Sequence, residues 1–286
     1  MENDVPLEPE EWEELPELEE GEFETAADVE AAKPQRTWTL FALLFVASLM
    51  ASAVMVPFSV SLIKQMRAPR IPVNILPQIF VLTLLIEGVF SAVTIALGLW
   101  LGGRVGLGVP LLRDWLNGDP ESAKQIRSSL GLGIVMGLGL GLLFLVVPMV
   151  SGAEKLPNKL VLPPLWEGFL ASIGAGVREE LWFRLGFMTF FVWLGAVMLG
   201  QETPRLGVVW TSNLLAALLF AAIHLPQTDA LLGRSANLFI FVLVGNGVPG
   251  LVFGWLYWRR NLFAAMAAHT SLDIVLKVIL PALHRG

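Results

Sequence analysis

The sequence predicts an all-α, polytopic membrane protein of about seven to eight transmembrane helices, with a disordered acidic N-terminal tail. Three observations carry that expectation. The chain is 55% hydrophobic and only 15% charged, with a mean hydropathy of +0.67, well outside the range of soluble globular domains. Several apolar runs exceed the roughly 20 residues that cross a bilayer. The formal charge of -6 hides a split, because 14 of the 25 acidic residues fall within residues 1 to 30, where there is no Lys or Arg. The remainder carries 11 acids against 19 cations. The expected location is therefore an integral, multi-pass position in a plasma or inner membrane, with the lipid bilayer as surroundings and no nucleic acid as partner.

Cysteine is absent, which excludes disulfides, thiolate metal ligands and cysteine nucleophiles. The N-terminus has no basic region followed by a short apolar core and cleavage site, so the first apolar span is expected to stay in the mature protein. Residues 1–36 are rich in Glu and Pro, with isolated Trp12, Leu15, Leu18 and Phe23. Such a composition buries too little apolar surface to offset its ordering entropy. It reads as a solubilising tail, or as a partner-docking or autoinhibitory segment, and the sequence does not identify the partner.

Apolar spans follow at Trp38 to Ile63, Leu76 to Leu101 and Leu130 to Val150. The third carries Gly133, Gly137 and Gly141 at intervals of four, a stripe that lets a neighbouring helix approach its backbone. Between the second and third spans, Leu111, Leu112 and Trp115 beside Arg113 and Asp114 suggest a short interfacial helix. Asp119 followed by Pro120 is a sound cap and first residue for another. Leu165 to Leu199 is too long for one untilted crossing, so a break is expected near Arg184 to Gly186. Leu206 to Leu225 is next, then Leu238 to Trp258, where Gly245, Asn246, Gly247 and Pro249 suggest an interruption of the kind that lines a cavity. Leu262 to Leu280 is the last span. Cations flank both ends of the first span, so the positive-inside counts do not set its direction.

An ionisable side chain in a bilayer core costs roughly 2.5 to 3.5 kcal/mol on insertion scales, so each needs a partner or a role. The chain has eight such residues to explain: Glu87, Glu179, Glu180, Arg184, His224, His269, Asp273 and Lys277. Glu180 and Arg184 lie four apart in the acid-before-base order that suits a helical ion pair. Glu179 points about 100° away at the α-helical turn per residue, free to act as a general base while Arg184 orients its neighbour. The alternative is a salt-bridge cluster of Arg178, Glu179, Glu180 and Arg184 at a helix end. His224 closes a span as an interfacial histidine or as a site residue. Asp273, one turn after His269, could fix that ring's tautomer, or could pair with Lys277 instead. Glu87 is expected to pair with one of the arginines. If the helices converge, Glu179, His224 and His269 would make a water-activating set, either without metal or as ligands of zinc or another divalent ion.

The stretches EELWFR (179–184), FAAIH (220–224) and HTSLD (269–273) resemble, in order and approximate spacing, motifs of the CAAX prenyl endopeptidase and bacteriocin-processing membrane proteases, the abortive-infection family. The segment GLVFGWLYWRRNLFAAMAAH is also similar to the span, basic turn and small-residue run that precede the family's last histidine. The resemblance covers residues 165 to 278. It implies an intramembrane protease of about eight helices around a polar cavity, acting on a membrane-associated or lipidated peptide or protein. Glu179 would activate water with help from His224, His269 and Asp273 would stabilise the oxyanion, and Glu180 and Arg184 would support the site. Residues 37–164 would then be N-terminal helices with an interfacial loop, 165–281 the catalytic core and 282–286 a short tail.

Two positions depart from the family pattern. Leu185 stands before Gly186 where the glycine commonly follows the arginine directly. Asp273 replaces the usual Asn. An ionised Asp cannot donate to an oxyanion, although a protonated one can, and an ionised one could ligate a metal or orient His269. Arg259 and Arg260 could anchor the interface or recruit a substrate carboxylate or headgroup. The same buried groups would also suit a proton- or ion-coupled transporter, for which inverted repeats are the missing sign, or a non-catalytic scaffold.

Overall fold

The computed structural model describes residues 37–65, 76–151, 163–232 and 235–283. The acidic segment 1–36, with its expected disorder, and His284 lie outside the described residues. All regular structure among the described residues is helical: α1 (Thr37–Ile63), α2 (Leu76–Gly102), α3 (Pro110–Leu116), α4 (Pro120–Ser151), α5 (Leu165–Glu180), α6 (Thr189–Met198), α7 (Leu206–Ile223), α8 (Leu225–Leu232), α9 (Ala236–Arg259), α10 (Leu262–Ile274) and α11 (Leu280–Leu283). Two π-helical stretches, Leu181–Met188 and Val275–Ile279, join α5 to α6 and α10 to α11.

Seven of these helical runs are long and apolar enough to cross a bilayer, among the described residues. Exposed apolar side chains such as Val81, Leu82, Leu85, Ile86, Val89 and Val93 on α2 face what would be lipid. The runs Leu165–Met198 and Leu262–Leu283 are 56% and 50% buried over their apolar windows, against 22% for α2 and α4. Those two are the central elements, and they carry six of the eight ionisable residues, all but Glu87 and His224.

Three sequence expectations need correction. Leu165–Met198 is one continuous helical run of 34 residues, with no break at Arg184 to Gly186. The turn widens there into a π segment instead. Widening displaces carbonyls from their usual donors, and Thr189 Oγ1 donates to the Arg184 carbonyl at 3.1 Å, while Gly186 lets Thr94 of α2 close against the backbone. α9 is likewise continuous through Pro249. The ring removes one donor and crowds the preceding turn, but Gly245 has open space where its Cβ would stand and Asn246 donates to Val242 O at 2.9 Å. Finally, the helix begun at Asp119 and Pro120 does not stop before the third span. Asp119 accepts from Ser122 N at 3.0 Å and from Glu121 N at 3.2 Å, and no Pro or Gly interrupts residues 121 to 130.

The glycine stripe of α4 packs as its spacing suggests. Cβ atoms at Gly133 and Gly137 would strike the carbonyl oxygens of Ala264 and Ala268, and one at Gly141 would strike Val275. α10 therefore lies against bare backbone. The turn before it is secured by Asn261, which accepts from Ala264 N at 3.1 Å and donates to Ser129 Oγ of α4 at 2.6 Å. Helices before and after residue 165 share one core, in which Leu40, Ile95 and Val105 pack with Leu181, Leu185 and Phe253.

Candidate active site

Glu179 and Glu180 end α5, Arg184 sits in the following π segment, His224 caps α7, and His269 and Asp273 lie one turn apart on α10. The fold brings all six together. Glu179, Glu180, Arg184, His269 and Asp273 are each buried, and His224 keeps its side chain 28% exposed, which leaves an approach from its side.

The two adjacent carboxylates take different surroundings, as their angular separation suggests. Glu180 is enclosed: its Oε2 lies 3.1 Å from Arg184 Nε, and its Oε1 lies 2.8 Å from His269 Nδ1. Arg184 also donates from Nη2 to Gly250 O at 2.9 Å, and its guanidinium lies over the rings of Phe220 and Phe253. Aromatic faces offset part of the cost of a fully buried cation. Glu179 is divided between two tasks. Arg178 Nη2 donates to its Oε1 at 3.2 Å, while Oε2 faces His224 Nε2 and His269 Nε2, each at 3.9 Å.

Both imidazoles are held by their other nitrogen. His224 Nδ1 lies 2.7 Å from the Phe220 carbonyl, which can only accept, so Nδ1 carries the proton and Nε2 is left for the site. His269 Nδ1 is paired with Glu180, not with Asp273 as one sequence reading had it. Asp273 Oδ2 instead lies 3.8 Å from His269 Nε2 and is bonded to Lys277 Nζ. Phe220 meets both imidazoles edge to face, 4.9 Å from His224 and 5.5 Å from His269, and Phe253 stacks on His269 at 5.0 Å.

The expected arginine partner of Glu87 is Arg178, whose Nη1 donates to Glu87 Oε1 at 2.9 Å. Arg178 lies over the Trp182 ring at 4.7 Å, and Trp182 Nε1 donates to Ser91 Oγ on α2 at 2.8 Å. Sequence reasoning placed Arg178 only in a generic ion cluster, and its role as the link between α2 and Glu179 went unseen. A second unseen connection runs from the loop before α3: Gly108 N donates to Tyr257 Oη at 2.8 Å, and Tyr257 Oη lies 2.8 Å from Thr189 Oγ1, which bonds Arg184 O. The signal was present, since Tyr257 is the chain's single tyrosine, but its partners lie far away in sequence.

For a metal, the donor types suit zinc while the spacing does not. Bonds of about 2.0 to 2.1 Å to two donors 3.9 Å apart would open an angle of about 140°, far from tetrahedral. Among the described residues no group of three His, Cys, Asp or Glu side chains is arranged to hold a metal ion. A water about 2.8 Å from each of the same two atoms would see them at about 90°. The side chains as placed fit a bridging water better than a tetrahedral ion.

Seven apolar spans make this an integral multi-pass membrane protein, with a polar cluster of three carboxylates, two histidines and an arginine where its central helices meet. Residues 161–275 match the family model described as Rce1-like, type II CAAX prenyl endopeptidase. That match takes in all three motif stretches and supports the CAAX protease family, and with it an intramembrane endopeptidase in general terms. No curated protein and no solved structure matches the chain.

Proposed function

We propose that this protein hydrolyses a peptide bond of a membrane-associated or lipidated substrate, with Glu179 as the general base. The observation that carries the reading is the division of Glu179: one oxygen held by Arg178, the other facing two histidine Nε2 atoms at equal distance. A water hydrogen-bonded to that oxygen and to His224 would be oriented for attack. Its oxygen bonds the carbonyl carbon, its proton passes to Glu179, and the carbonyl π pair moves onto oxygen. When the intermediate collapses, the C–N bond breaks and Glu179 returns the proton to the leaving nitrogen. His269, held by Glu180, which Arg184 pairs in turn, faces the same space and contributes electrostatically to the developing oxyanion. Asp273 borders this space through His269 and Lys277.

The test is a mass-spectrometric survey of protein termini in host membranes, comparing native protein with Glu179→Gln at equal folded yield, with and without exhaustive chelation. New termini that vanish with Glu179→Gln and survive chelation are the expected result, the loss amounting to at least about 100-fold in rate for a removed general base. No Glu179-dependent termini would overturn the endopeptidase reading. Termini lost on chelation and restored by zinc would replace the metal-free base with a Glu179, His224 and His269 metal site.

A further inference from the structure

Each of the two π segments carries a cation beside the cluster. Arg184 in the first is enclosed by Glu180, Gly250 and two aromatic rings. Lys277 in the second is engaged differently. Its ammonium bonds Asp273 Oδ2, the oxygen that lies 3.8 Å from His269 Nε2, which in turn lies 3.9 Å from Glu179 Oε2. The ammonium is therefore linked to the Glu179 side of the cluster through Asp273 and His269. Its side chain is 27% exposed, against 1% for that of Arg184, and its ammonium lies 5.8 Å from the centre of the Phe58 ring.

Addition of water to an amide places negative charge on the former carbonyl oxygen, and a positioned donor at that point is among the largest contributions to such catalysis. An ionised Asp273 offers acceptors only, whereas an ammonium has three N–H donors on a flexible stem. Arg178 already spans Glu87 and Glu179. We infer that Lys277, neutralised at rest by Asp273, donates a hydrogen bond to the oxyanion of the tetrahedral intermediate and is a catalytic residue; this rests on the endopeptidase reading above. No proton need leave Lys277. The oxyanion takes up an N–H as it forms and releases it when the C–N bond breaks.

The simpler role for Lys277 is to neutralise Asp273, and the experiment separates the two by removing the carboxylate first. The probe is a quenched-fluorescent peptide spanning the best Glu179-dependent cleavage site, assayed with full-length protein in detergent after size-exclusion confirms folding. Asp273→Ala sets the reference rate. Adding Lys277→Met to it should lower kcat by about 100-fold or more, the usual loss of one oxyanion donor, while KM stays within about twofold because the interaction forms only in the transition state. Because the chain has no cysteine, Lys277→Cys can be alkylated at that position alone. Bromoethylamine, which restores an ammonium, should recover activity, and iodoacetamide, which leaves a neutral amide, should not. Equal kcat with and without Lys277→Met in the Asp273→Ala background, or equal recovery by the two reagents, would overturn the inference. In that case Glu179-dependent cleavage by the native chain would still stand; its absence would remove both readings.

Discussion

Arg178 shows how much of this site depends on one side chain outside the three motifs. It reaches Glu87 on α2 with one guanidinium nitrogen and Glu179 with another, so Glu179 is fixed relative to a helix some ninety residues earlier in the chain. A fork of this kind is a property of arginine that lysine does not share. Arg178→Met would leave Glu87 and Glu179 as unpaired, largely buried carboxylates, with Glu179 no longer aimed at the histidines. The expected result is a fall in kcat of about 10- to 100-fold, the scale of an ångström-sized misplacement, with Arg178→Lys intermediate. Glu87→Gln, which keeps an acceptor for Arg178, should stay within about threefold, since a neutral hydrogen bond replaces a charged one. Steady-state kinetics on the three variants checks the order; a Glu87→Gln loss as large as that of Arg178→Met would show that the charge of Glu87, and not the aim of Glu179, is what matters.

At the scale of elements, the position of His269 and Asp273 is set by the contact of α4 with α10. In lipid there is little hydrophobic drive between helices, so close backbone approach and van der Waals packing hold them together. Gly137 faces the carbonyl of Ala268, the residue before His269. Gly137→Val should force the helices apart, cost about 1 to 3 kcal/mol as overpacking does, and lower activity at the same time. Gly139 on the same helix has open space at its Cβ position, and Gly139→Ala should change stability by less than about 0.5 kcal/mol. Thermal denaturation in detergent, read by tryptophan fluorescence, compares the two; similar midpoints for both variants would mean that α4 and α10 are not held by this contact. The π segment plays a comparable part on the other side, because its wide turn is completed by Thr189 and tied through Tyr257 to Gly108.

For the whole molecule, the segment 161–275 that matches the family model is not self-contained. Glu87 and Ser91 come from α2, and Gly133 and Gly137 from α4. A fragment of residues 161–286 expressed alone is therefore expected to show neither activity nor a cooperative thermal transition. Co-expression with residues 1–160 should restore both, because membrane helices can insert separately and then associate. An active isolated fragment would place the whole site, including the hold on Glu179, within the matched segment.

The apolar spans, the i, i+4 pairing of Glu180 with Arg184, the glycine stripe of α4 and the cap at Asp119 were legible in the sequence, because each depends on composition or on spacing within one helix. The expected breaks at Arg184 to Gly186 and at Pro249 were read from the same local signals and did not occur. A helix keeps an awkward residue when tertiary neighbours satisfy what the backbone loses, as Thr189 does at Arg184, and those neighbours have no fixed sequence distance. Whether Glu180 or Asp273 holds His269, and which arginine holds Glu87, likewise depended on how helices from distant parts of the chain are set against one another. Local periodicity determines which groups share a face of one helix. Only the packing of helices against one another decides which faces meet, and therefore which of two neighbouring carboxylates pairs with Arg184 and which faces both histidine Nε2 atoms.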